Sequence, residues 1–305
     1  MICRMTLIRL FSFACCAFLC AQSLSVSRAD NFNFETVRKA ADQGDAEAQF
    51  LLGRAYSRGE GVPQDYGKAA ELFRKAAEQG NAKAQNNLGA LYGLGLGVKQ
   101  DLAEAVKWYR KSAEQGIALA QDNLGMMLAH GQGVAKDCRQ AAEWFRKSAE
   151  QDFADAQLHL GELYYLGDAG VEQNYAEAAN WLSKAAAHGK AWAQNVLGVM
   201  YENGSGVKQD PTVAVDWYRK AAEQGDAKAE SNLGRMYADG SGVEKDPVKA
   251  YQWLTLGANQ NEITAVKLLV GVQPTLTPDQ LAEGKRLVAE WKERAGKTVA
   301  GKEER

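Results

Sequence analysis

Apolar residues recur along this chain in two alternating arrangements, each with the 3.6-residue period of a helix that buries one face. In Ala82 to Gly93 they fall at Ala82, Ala84, Leu88, Leu91 and Tyr92. In Leu102 to Gln115 they fall at Ala105, Trp108 and Tyr109, leaving Lys107, Arg110 and Lys111 for water. Gly95 predicts the end of the first helix in a left-handed residue, and Gly59, Gly131, Gly167, Gly204 and Gly240 occupy the same place elsewhere. A short oxygen side chain then stands ready to cap a second helix: Asp65, Asp101, Asp137, Asn174, Asp210 or Asp246, twice followed by proline, Pro211 and Pro247. That helix stops at Gly80, Gly116, Gly189 or Gly225, with Asp152 and Asn261 in the same role.

The pair of helices is repeated in tandem. The glycine of a Leu-Gly pair recurs at Gly53, Gly89, Gly125, Gly161, Gly198 and Gly234, at intervals of 36, 36, 36, 37 and 36 residues. Leu72, Trp108, Trp144, Trp181, Trp217 and Trp253 keep the same register, and Gly167-Asp168-Ala169-Gly170 holds the one extra residue. A hairpin of this size cannot bury its own apolar face, so stacking on its neighbours supplies the core. The expected architecture is an all-α, α/α superhelical solenoid of six helix-turn-helix repeats over 45–261, with capping helices at both ends. Phe34 to Gln43 resembles a lone second helix within an N-terminal cap at 30–44. Thr277-Pro278-Asp279-Gln280 opens the helix of a C-terminal cap at 262–296, with Leu281, Val288, Trp291 and Ala295 on one side and Lys285, Arg286, Glu290 and Lys292 on the other. Residues 297–305 read as a flexible tail. A glycine inside a helix costs about 1 kcal/mol relative to alanine. The six Leu-Gly glycines therefore predict close approach of the second helix, through pairs such as Ala69-Ala70 and Ala141-Ala142.

Residues 1–29 follow another pattern. Arg4 and Arg9 precede an uncharged apolar run from Leu10 to Ala21, and Ser27-Arg28-Ala29 places small residues before Asp30. This is the pattern of a cleavable secretory signal, periplasmic or secreted in destination. Extension of the run to Leu24 or Val26 gives an uncleaved anchor as the alternative. A lipoprotein signal fits worse, because Leu19 precedes Cys20 where a small residue is wanted.

The chain of 305 residues is 46% hydrophobic and 24% charged, proportions that exclude disorder, collagen and a polytopic membrane protein. Cleavage removes three of the 36 basic side chains and none of the 38 acidic ones, leaving a net charge of −5. That sign disfavours nucleic acid. Cys138 alone of the five cysteines remains, so no intramolecular disulfide can form.

The motif Ala82-Lys83-Ala84-Gln85-Asn86-Asn87-Leu88-Gly89-Ala90-Leu91-Tyr92, the turn Gly95 to Val98, Asp101, and Trp108 to Gly116 together resemble the Sel-like repeat (SLR) family, relatives of tetratricopeptide repeats. The likeness covers roughly Asp42 to Asn261, with small departures at Leu72, Leu128 and Asp152. It implies a superhelix whose concave face binds proteins or extended peptides. Its exported bacterial members look like adaptors, envelope regulators or host-contact proteins.

On such a face the positions equivalent to 50, 54 and 57 are free to vary. The partner-binding candidates among them are Asn86, Asp122, Met126, Leu158, Glu162, Tyr165, Asn195, Glu202 and Arg235, a mixed acidic and apolar lining suited to a segment with basic and apolar residues. Enzymatic readings find little support. His130, His159 and His188 occupy different repeat positions, and none shares an i, i+4 spacing with another. Cys138 stands where Tyr66, Leu102 and Tyr175 stand, as a packing residue. Gly93-Leu94-Gly95-Leu96-Gly97 belongs to the recurring turn, with no strand before it to make a phosphate loop. The expectation is a non-catalytic, monomeric binding scaffold without metal or cofactor, kept from self-association by its C-terminal helix. The alternatives are a rigid spacer in an envelope complex, or a β-lactam-binding hydrolase like some cysteine-rich relatives, whose paired cysteines this chain lacks.

Overall fold

The computed structural model describes residues 34–168 and 170–303, with side chains described as far as 295. The signal expected at 1–29 and the first residues of the expected N-terminal cap lie outside the described residues. The chain forms two compact units, Met1–Phe153 and Ala154–Arg305.

The first unit holds α1 (Phe34–Asp42), α2 (Ala46–Arg58), α3 (Tyr66–Glu78), α4 (Ala82–Leu94), α5 (Leu102–Glu114), α6 (Ala118–His130) and α7 (Cys138–Ala149). The second holds α8 (Ala154–Leu166), α9 (Tyr175–Ala187), α10 (Ala191–Asn203), α11 (Pro211–Ala222), α12 (Ala227–Asp239), α13 (Pro247–Asn259), α14 (Ile263–Val272), a 3-10 turn (Gln273–Thr275) and α15 (Pro278–Glu303). These are the six helix-turn-helix repeats of the all-α class that the sequence predicts. Within each unit every hairpin packs on the next, as solenoid repeats do.

The punctuation behaves as its chemistry requires. Gly59, Gly95, Gly131, Gly204 and Gly240 close their helices in the left-handed region, at φ of 67–73°. Asp152 and Asn261 adopt φ of 62° in place of glycine, which a short polar side chain tolerates. Asp65, Asp101 and Asp137 accept the backbone N–H three residues on, at 2.9–3.0 Å. The extra residue of the fourth repeat lies in a small loop where Asp168 and Val171 exchange backbone hydrogen bonds at 3.1 and 2.7 Å.

The mid-helix glycines are places of close approach, but the alanine pairs are not what fills the space. A Cβ at Gly125 would lie 2.6 Å from Phe145 Cε1, and one at Gly198 would lie 2.5 Å from the Tyr218 ring. The large residue following the tryptophan position lies flat on the glycine instead: Phe73, Tyr109, Phe145, Leu182, Tyr218 or Leu254. The second glycine of the turn has a further role. A Cβ on Gly133 would come within 2.3 Å of the Leu102 backbone, and Gly97, Gly206 and Gly242 lie as close to Tyr66, Tyr175 and Pro211, so these four turns seat on the second helix of the preceding repeat. The tryptophans are stacked by the lysine one turn on, with Lys111, Lys147, Lys184 and Lys220 lying 4.1–4.3 Å from the ring centroids.

Both ends are closed. Gln49 donates to the Ala41 carbonyl at 3.2 Å, the bond that later repeats make to a second helix, so α1 stands in for one. At the other end Thr277 and Gln280 form a reciprocal capping box, with bonds of 3.0 and 3.2 Å. The helix it opens buries Val288, sets Trp291 edge-on to Trp253 at 6.4 Å and lays Gly284 against the Tyr251 ring. It continues to Glu303, past the predicted end near Ala295. Gly296 stops a helix only by turning left-handed, and Glu293, Arg294, Ala295 and Lys297 around it all favour continuation. Before this helix, α14 behaves as the first helix of an incomplete further hairpin, capped by Glu262, whose carboxylate accepts from the Ala265 N–H at 2.6 Å.

Candidate functional site

The polar candidates converge in the second unit. Arg235 on α12 meets Glu202 on α10 at 2.7 Å, both side chains about a quarter exposed at 29% and 22%. Tyr218 on α11 donates its hydroxyl to the same Glu202 oxygen at 2.7 Å. Burial first, then the neighbouring carboxylate, drives the Tyr218 hydroxyl far above the ordinary phenol range, so it stays a donor at any physiological pH. Glu202 stabilises the Arg235 guanidinium, outweighing the cost of burying it.

On α8 the same face carries Glu162 and Tyr165. Tyr165 packs edge-on against Tyr175 at 5.6 Å, and burial raises its hydroxyl. Glu162 is held above the usual carboxylate range by burial, opposed by His159 one turn earlier on the helix. Among the described residues Glu162 makes no hydrogen bond or ion pair. A partly buried carboxylate whose desolvation His159 only partly offsets is a costly arrangement that a cationic ligand would relieve. Leu158, one turn before Glu162, adds partly buried apolar surface.

Not every candidate lies on an accessible face. Asn86, Asp122 and Asn195 are buried, at 4, 5 and 6% exposure. The reason is stacking of neighbouring first helices. Asn123 Nδ2 donates to Asn86 Oδ1 at 3.1 Å, and Asn232 Nδ2 donates to Asn195 Oδ1 at 3.0 Å. A short amide can be buried there because the next repeat supplies its partner. At Asn86, Asp122 and Asn195 the position equivalent to 50 is therefore a stacking position; Leu158, its equivalent on α8, stays partly exposed, and the rest of the variable surface lies at the positions equivalent to 54 and 57. In the first unit that leaves Met126, partly exposed, from the candidates. On the second unit Glu162 and Tyr165 share a face of α8, and Glu202 and Arg235 pair between α10 and α12.

Tyr218 was not legible as a site residue, because its position is the one that fills the space beside the Leu-Gly glycine. The signal was a hydroxyl at a place held by Phe73, Phe145, Leu182 and Leu254 in four other repeats. Cys138 is buried, at 2% exposure, in keeping with packing. Among the described residues no group of three or more His, Cys, Asp or Glu side chains is placed to hold a metal ion, and no helix is long and apolar enough to cross a membrane.

The family model of the Sel1 repeat matches six times, over residues 46–81, 82–117, 118–153, 154–190, 193–226 and 227–262. The chain belongs to the Sel1 repeat family. Among solved structures it is similar to a Sel1 repeat protein from Oxalobacter formigenes, at 36% identity over 79% of this chain and 96% of that one, with a TM-score of 0.66. It is also similar to a protective antigen present in uropathogenic Escherichia coli strains that displays an SLR fold, at 33% identity over 85% of this chain and 71% of that one, with a TM-score of 0.39. No curated protein matches. Sel1 repeat proteins are in general protein-interaction scaffolds, and this chain has their repeat architecture.

Proposed function

We propose that this Sel1 repeat protein is an exported, monomeric, non-catalytic adaptor that captures a protein partner on the first-helix face of its second unit. The observation that carries the reading is Glu162. A half-buried carboxylate with no hydrogen bond or ion pair, one turn before Tyr165 of the Tyr165–Tyr175 pair, suits a lysine or arginine flanked by apolar side chains. The basic residue seats on Glu162 and the apolar ones lie against Leu158 and Tyr165. Arg235, held by Glu202, is a fixed donor for a carbonyl or carboxylate of the same segment.

The mechanism is presentation. Helices locked by stacking hold these side chains in place before the partner arrives, so little ordering entropy opposes association. Export is supported by the basic start, the apolar run Leu10–Ala21 and the small residues before Asp30.

Two measurements test the reading. Intact-mass analysis of the protein from its native host should find a chain beginning at Asp30; a retained N-terminus contradicts cleavage. Capture of the partner should be lost in Glu162→Gln with the fold unchanged, and undiminished capture contradicts the assignment of the site.

A further inference from the structure

Five repeats place a glutamine at the end of the Ala-x-Ala-Gln motif, namely Gln49, Gln85, Gln121, Gln157 and Gln194, whereas the sixth places Glu230. The amide works in two directions. The Nε2 of Gln49, Gln85, Gln121 and Gln194 donates to the carbonyl eight residues earlier, at the end of the preceding helix, over 3.0–3.2 Å. The Oε1 of the same residues accepts from Gln79, Gln115, Gln151 and Gln224, over 2.7–2.8 Å. Each buried glutamine thus ties its first helix to the second helices before and after it.

Glu230 keeps only half of this. Gln260 Nε2 donates to Glu230 Oε2 at 2.9 Å, as in the other repeats. The other oxygen, Oε1, is buried with no partner, in a residue of 0% exposure. In the register of the array its counterpart is the Ala222 carbonyl, also an acceptor. Two acceptors cannot bond without a proton between them.

We propose that Glu230 closes the sixth repeat as the neutral acid, its Oε1–H donating to the Ala222 carbonyl, and that ionisation loosens α12 from α11, making the C-terminal end of the array pH-sensitive. Burial is the first cause that lifts this carboxyl to about 7, the Asp226 carboxylate adds to the shift and the bond from Gln260 opposes it. The surrounding elements offer no compensation. Asp226 caps the same helix, Lys228 beside it is exposed, and Glu223 at the end of α11 is exposed. From α13 comes the neutral Gln260, and from α14 comes Glu262, already engaged with the Ala265 N–H. No lysine or arginine pairs with Glu230 among the described residues.

The sign follows from linkage. The folded carboxyl holds its proton to a higher pH than the unfolded one, so stability is complete below the ordinary glutamate range and is lost as pH rises to about 7. Acid locks the end of the array and alkali frees it.

Hydrogen exchange of the full chain, followed by mass spectrometry between pH 5.5 and 8.5 and corrected for intrinsic exchange, tests this. Opening of α11 to α13 in the wild type should rise by on the order of tenfold or more across the range. Glu230→Gln, which restores the residue of the other repeats, should abolish that rise while remaining folded. Gln194→Glu should transplant the same dependence to α9 and α10. A flat wild-type profile, a profile that Glu230→Gln shares, or a Gln194→Glu protein without the added dependence overturns the proposal.

Discussion

Arg235 and Glu202 lie 33 positions apart in sequence and 2.7 Å apart in space, and Tyr218 reaches the same carboxylate oxygen from the helix between them. Three helices are thereby fixed at one point of the first-helix face. Arg235→Ala removes one donor from a carboxylate that is only 22% exposed and leaves the Tyr218 bond in place. A loss of about 1 kcal/mol is expected in equilibrium denaturation, because partly exposed pairs are screened. Tyr218→Phe should cost a similar amount. The two together with Glu202→Gln form a cycle whose coupling should be measurable, since the groups share one oxygen.

Glu162 sets function against stability. Its carboxyl is raised by burial, so the unfolded chain ionises first and the stability of the folded form is lost as pH rises through the folded value. Glu162→Gln should match the wild type near pH 4 and be the more stable of the two at pH 8. The same substitution should abolish partner capture. Thermal unfolding at the two pH values checks the first half, and equal stability at pH 8 would show that burial does not govern the ionisation of Glu162.

Gly133 and Gly116 separate two uses of glycine. Both have positive φ, but a Cβ on Gly133 would strike the Leu102 carbonyl at 2.3 Å, whereas one on Gly116 meets nothing within 4 Å. Gly116→Ala should cost about 1 kcal/mol for its backbone conformation. Gly133→Ala should cost about 3 kcal/mol, because a backbone neighbour cannot rotate away. Urea denaturation of both variants decides whether the turns are seated on the preceding repeat or merely follow it.

The C-terminal helix closes the array through Trp291, set edge-on to Trp253, and through Gly284 against Tyr251. Trp291→Ala should destabilise by about 2 kcal/mol. A chain ending before Thr277 should expose Val288's partners in the last core cluster and aggregate, while deletion of an interior repeat in register preserves folding. Light scattering and equilibrium unfolding of both deletions check this; a soluble, monomeric chain lacking the helix would remove its role as a cap.

The sequence announces this fold because each repeated residue answers a local demand. Gly95 turns left-handed, Asp101 caps, and Thr277 with Gln280 forms a box, all within a few residues of chain. What it conceals depends on neighbours distant in sequence. Asn86 reads as a surface residue until Asn123 of the next repeat is seen to hold it in the interior. Phe145, and not the alanine pair, lies on Gly125 because spacing specifies which face is buried but not which side chain lies flat on it. Tyr218 shows the same limit for the site, since its ring serves the core and its buried hydroxyl holds Glu202. The helix from Pro278 runs past the cap boundary expected at 296, as one glycine among good helix formers does not end a helix.

The central claim, that a partner is held on the first-helix face of the second unit, is tested most directly by site-specific photo-cross-linking in the native host. A photoreactive residue would replace Tyr165 or Val199 on that face, and Lys107 or Glu143 on exposed second-helix surface as controls. The account predicts one discrete protein adduct from Tyr165 and Val199, lost when Glu162→Gln is added and absent from the controls. Equal adducts from Lys107 and Glu143, or an adduct indifferent to Glu162→Gln, would contradict it.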